Sequence, residues 1–88
     1  MEPFTLDDLY RIYIIVPRED GLGTENLTVA QMSDRQFRWW VKEKSAREGV
    51  RMILPIGQIR HQTRLYMLNR LRESGVKIYK LAEPTPGS

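Results

Sequence analysis

One local pattern occurs twice in this chain: a helical segment, a glycine stop and a β-branched run. Ala46-Arg47-Glu48-Gly49-Val50-Arg51-Met52 and Leu71-Arg72-Glu73-Ser74-Gly75-Val76-Lys77-Ile78 both read this way. Glycine after the last helical turn supplies the left-handed conformation that ends a helix. Each following run is then forced to start a new element. An earlier run, Tyr10-Arg11-Ile12-Tyr13-Ile14-Ile15-Val16, is dense in β-branched and aromatic residues and stops at Pro17, which predicts a first strand.

The first helix has an explicit start. Ser33-Asp34-Arg35-Gln36 fits a capping box, with Met32 and Phe37 placed as a hydrophobic staple, and the helix is expected to run to Glu48. Val50 to Leu54 is the expected second strand, closed by Pro55-Ile56-Gly57. A second helix is expected from Gln58 to Ser74, and Val76 to Leu81 is the expected third strand. Arg18 to Met32, with Asp20-Gly21-Leu22-Gly23, has the composition of a long loop. The predicted fold is a small α/β domain of two helices and three strands in the order β-α-β-α-β, with a mostly parallel sheet. A winged helix-turn-helix is the alternative, although Val50 to Ile56 is long and β-branched for a tight inter-helix turn. One domain over residues 1–81 is expected, with residues 82–88, rich in proline and glycine, as a flexible tail.

Arg47-Glu48-Gly49-Val50-Arg51-Met52-Ile53-Leu54-Pro55 followed by Leu71-Arg72-Glu73-Ser74-Gly75-Val76-Lys77-Ile78-Tyr79 resembles an α/β segment of the phospholipase D superfamily, over less than half of the chain. That resemblance implies an α/β arrangement. The family's catalytic signature is a histidine followed two residues later by a lysine, whereas this chain has one histidine, His61, followed by Gln62 and Thr63. No active site is carried over.

Charge is unevenly distributed. Residues 1–27 hold six acidic and two basic side chains, while residues 28–82 hold twelve basic and four acidic ones. The basic part is the one expected to meet an anionic partner. Ten of the fourteen cations are arginine, whose planar fork suits phosphate and carboxylate. With no cysteine there is no disulfide framework, thiolate metal site or thiol nucleophile, and the longest apolar run, Ile12 to Val16, which includes Tyr13-Ile14-Ile15-Val16, is far too short for a membrane span. A cytoplasmic protein is expected, with no cofactor, no metal and no membrane partner.

Helical spacing sorts the first helix into two faces. Phe37, Trp40, Val41 and Lys44 form the core side; Arg35, Arg38, Trp39 and Lys42 form a basic face bearing one aromatic ring. Cations that neutralise phosphates beside a ring that stacks on bases are what single-stranded nucleic-acid binders use. The same residue types also suit a protein interface. On the second helix Leu65, Met67, Leu68 and Leu71 form the apolar face, with His61 and Arg64 near its start. Open α/β sheets bind ligands at the carboxyl ends of their strands, so Arg18, Gly57, Gln58, Arg60, His61 and Arg64 form a second candidate set, an anion pocket. The function expected from the sequence is a non-catalytic binding module for nucleic acid; the alternative is a protein-interaction or regulatory module, as a homodimer or small adaptor.

Overall fold

The computed structural model describes residues 2–81. The expected tail, residues 82–88, lies outside them. Its elements are two helices and a two-stranded antiparallel sheet, a small α/β arrangement. Strand β1 is Tyr13–Pro17 and strand β2 is Thr24–Thr28, paired in register with Tyr13 opposite Thr28, Ile15 opposite Asn26 and Pro17 opposite Thr24. Helix α1 spans Asp34–Glu48 and helix α2 spans His61–Glu73. Short 3-10 helices precede β1, over Leu6–Tyr10, and follow β2, over Val29–Gln31.

The three-stranded parallel sheet expected from the sequence is therefore corrected to a hairpin. Its second strand lies inside the stretch read as a long loop. The turn that makes this possible is local: Gly21 N–H donates to the Arg18 carbonyl and Arg18 N–H to the Gly23 carbonyl, both at 3.0 Å. Gly21 and Gly23 take φ of 76° and 90°, values that favour glycine. Closing this short loop costs less chain entropy than a parallel crossover through a helix.

Val50 to Leu54 and Val76 to Leu81 run without forming strands. Their alternation is still read by the core, because Val50, Met52, Leu54 and Ile78 pack against it and Val76 is buried within it. The C-terminal segment reaches the start of β1 through one backbone bond, Leu81 N–H to the Arg11 carbonyl at 2.8 Å. The winged helix-turn-helix alternative does not apply either, since the hairpin precedes both helices and twelve residues separate them.

Helix α1 matches its sequence signals. Ser33 Oγ accepts from Gln36 N–H at 3.1 Å, Gln36 Oε1 accepts from Ser33 N–H at 2.9 Å, and Gly49 at φ 69° ends the helix. Helix α2 starts three residues later than expected, with Arg60 at its N-cap and no side-chain cap. Phe37, Trp40 and Val41 from α1 meet Met67, Leu68 and Leu71 from α2, with Leu9, Ile12, Val16 and Val29, in one buried cluster. A buried arginine ties these elements together: the Arg64 guanidinium stands 5.3 Å from the Phe37 ring centroid.

Candidate nucleic-acid interface

Arg35, Trp39 and Lys42 lie at i, i+4 and i+7 on α1, which aligns them along one stripe. All three are exposed, Trp39 to 40%. Its neighbour Trp40, about a quarter-turn further round the helix, is buried with its ring 6.0 Å from that of Phe37, so one indole joins the core and the other faces out. Arg35 and Lys42 form no ion pair or hydrogen bond among the described residues. Arg38, the fourth residue of the expected patch, is half-buried: its Nε donates to the Pro55 carbonyl at 3.2 Å and its Nη2 to the Gly57 carbonyl. Its donors hold the connection between the helices in place.

The hairpin turn packs beside the first turns of α1 and leaves an open cleft of about 260 Å³. Pro17, Arg18, Glu19 and Gly21 line one side and Arg35 and Trp39 the other. Three contacts set this geometry. Gln36 Nε2 donates to the Pro17 carbonyl at 3.0 Å and to Glu25 Oε2 at 3.1 Å, and Ser33 Oγ donates to Glu19 Oε1. Arg18 is held on the turn by Asp20, with Nη2 to Oδ2 at 3.0 Å and Nε to Oδ1 at 3.2 Å. That paired hydrogen bond from Arg18 lowers the Asp20 carboxyl below the ordinary aspartate value, helped by the Leu22 N–H.

The residues of the expected anion pocket do not converge. Arg18 lines the hairpin cleft. The Gly57 carbonyl is taken by Arg38, Gln58 and Arg60 are exposed, and His61 is exposed with its ring edge-on to Tyr10 at 5.9 Å between centroids. Arg64 is buried, and its guanidinium donates to the carbonyls of Ile59, Val29 and Met32 and to Asp34 Oδ1 at 2.7 to 3.1 Å. Four of its five N–H groups serve the fold, and the side chain is buried away from any shared pocket with Arg18 or His61. The resulting site joins Arg18 from one sequence-derived set to Arg35, Trp39 and Lys42 from the other. Glu19 and Gly21 were missed, because the stretch holding them reads as loop and the pairing that brings it back to α1 is not marked by an apolar run.

Among the described residues no group of three or more acidic or histidine side chains is placed to hold a metal ion. No helix of the described residues is long and apolar enough to cross a membrane. No family model, curated protein or solved structure matches the chain.

Proposed function

We propose that this protein is a non-catalytic module that binds single-stranded nucleic acid along the face formed by Arg18, Arg35, Trp39 and Lys42. The observation that carries this reading is an exposed indole on α1 flanked by two cations that have no partner within the described fold. A ring left in water has an unsatisfied apolar face, and bases stack on such faces while guanidinium and ammonium groups meet the phosphates. The basic charge of residues 28–82 adds a sequence-independent attraction. A cytoplasmic setting belongs to the same reading, in keeping with the absence of cysteine.

Fluorescence anisotropy of labelled single- and double-stranded DNA and RNA at two salt concentrations tests it. Salt-sensitive binding that prefers single strands and is weakened by Trp39→Ala supports the reading. Absence of binding at low salt refutes it.

A second reading, a protein-interaction or regulatory module acting as a homodimer or adaptor, rests on a different observation. Ile53 and Ile56 in the connection between the helices are 91% and 101% exposed, and Tyr13 and Ile15 stand on the open face of the hairpin. It predicts a concentration-dependent mass in sedimentation equilibrium, lowered by Ile53→Ser with Ile56→Ser.

A further inference from the structure

We propose that the cleft between the hairpin turn and α1 is a single-base subsite that selects guanine, with Trp39 stacking on the base and Glu19 reading its edge. The inference rests on the nucleic-acid reading above and adds to it a base preference.

The decisive residue is the one that does not suit a phosphate. Glu19 lines the same cleft as Arg35 and Trp39, and a carboxylate inside a cleft repels a phosphate group. A nucleic-acid strand following the Arg35–Lys42 stripe therefore places its backbone on the stripe and a base in the cleft. The cleft, about 260 Å³, is below the usual range for drug-sized ligands and suits one base in preference to several.

Glu19 forms no ion pair among the described residues and one hydrogen bond, from Ser33. Arg18, its immediate neighbour in sequence, is engaged by both carboxylate oxygens of Asp20 and so does not neutralise it. Ser33 Oγ donates to Glu19 Oε1, and Ser33 is itself fixed as the N-cap of α1 by the Gln36 N–H. A carboxylate has about four acceptor positions, so Ser33 leaves most of them open. Ser33 thus holds the side chain against the helix, with an acceptor position left on Oε1 and both left on Oε2.

Carboxylate chemistry then sorts the bases. An ionised carboxylate only accepts, and it accepts best from two parallel N–H groups. Guanine presents that arrangement on its Watson–Crick edge, where N1–H and the 2-amino group lie side by side. Adenine and cytosine place an acceptor nitrogen beside their amino group. Uracil and thymine flank one N–H with two carbonyl oxygens, which a carboxylate repels. Both RNA and DNA carry the guanine edge, so the subsite reads the base and leaves the sugar undetermined.

The test compares seven-residue oligonucleotides, RNA and DNA, of uridine or thymidine with guanine, hypoxanthine or adenine at the central position. Hypoxanthine is guanine without its 2-amino group. Guanine is expected to bind about tenfold more tightly than hypoxanthine or adenine, the discrimination of one good paired contact. Glu19→Gln is expected to reduce that margin to less than about twofold while the slope of log affinity against log salt stays within the range of the wild type. The comparison between guanine and hypoxanthine in the unaltered protein does not depend on the variant folding. Equal affinity for all central bases overturns the guanine subsite and leaves the nucleic-acid reading standing. A guanine preference that survives Glu19→Gln overturns the role of Glu19. Absence of binding to every oligonucleotide at low salt overturns both the subsite and the reading beneath it.

Discussion

The Arg64 guanidinium and the Asp34 carboxylate meet at 3.1 Å between the first turn of α1 and the first turn of α2. Each also binds backbone that has no strand to pair with. Arg64 donates to the Val29, Met32 and Ile59 carbonyls, and Asp34 Oδ1 accepts from Ile59 N–H at 3.0 Å. These two side chains do the work that a third strand's ladder would do, fastening the connection before α2 onto the segment before α1.

Arg64→Leu is accordingly expected to destabilise the protein by about 3 kcal/mol, because several buried carbonyls lose their donor at once. Arg64→Lys is expected to recover little of this, since one ammonium cannot reproduce the planar fork. Urea denaturation followed by circular dichroism checks both. Wild-type stability in either variant would mean that the fold does not depend on this clamp.

Two aspartates give a pH dependence with a defined sign. At Asp34 the Ile59 N–H lowers the carboxyl pKa below its ordinary value; burial opposes this, and the Arg64 bond and charge reinforce it. At Asp8 burial pushes the pKa up, but the Thr5 N–H, Lys80 at 3.0 Å and Arg11 together outweigh it and the net direction is down. A carboxyl with a lower pKa folded than unfolded stabilises the fold fully above its unfolded pKa, about 3.9, and loses that contribution as pH falls through the folded value. The urea midpoint is expected to hold from neutral pH to about 5 and to drop below about 4. Asp8→Asn and Asp34→Asn are each expected to lower the midpoint at neutral pH and to shallow the acid-side drop. An unchanged acid slope in both variants would contradict this account.

The adjacent tryptophans separate stability from binding. Trp40→Ala removes a core side chain and is expected to cost about 3 to 5 kcal/mol, a large part of the stability of a small domain. Trp39→Ala is expected to cost less than about 1 kcal/mol and to weaken oligonucleotide binding about tenfold. Thermal melts beside anisotropy titrations distinguish the two effects.

Among the cations of α1, Arg35→Ala and Lys42→Ala are each expected to reduce the salt slope of single-strand binding by about 0.7. Arg38→Ala is expected to leave that slope unchanged and to lower stability by about 1 kcal/mol, because its contacts are with Pro55 and Gly57. A slope that responds to Arg38 and not to Arg35 would move the strand off this face.

What the sequence disclosed follows from how local each signal was. The limits of α1 were legible because Ser33, Gln36 and Gly49 act within one turn of where they sit. The burial of Phe37, Trp40, Val41, Met67, Leu68 and Leu71 was legible from helical periodicity. Strand β2 was not, because Thr24-Glu25-Asn26-Leu27-Thr28 has a single large apolar residue and owes its conformation to pairing with β1. Val50 to Leu54 and Val76 to Leu81 carry strand composition and meet the core by alternate residues, yet pairing is a long-range event that composition does not specify. At the site, Arg35, Trp39 and Lys42 followed from helical spacing. The withdrawal of Arg38 and Arg64 did not, since it depends on carbonyls that the fold brings to them from 17 to 35 residues away.

In the proposed binding mode nucleic acid lies against the α1 face and the hairpin turn. Titrating a single-stranded hexanucleotide into isotopically labelled protein at low salt, and following the two indole N–H signals and the backbone amides, tests it most directly. Progressive shifts of the Trp39 indole and of the Gly21, Arg35 and Lys42 amides, with the Trp40 indole and the Gly57 and His61 amides unmoved, are the predicted result. Shifts confined to the start of α2, or none at saturating oligonucleotide, would contradict it.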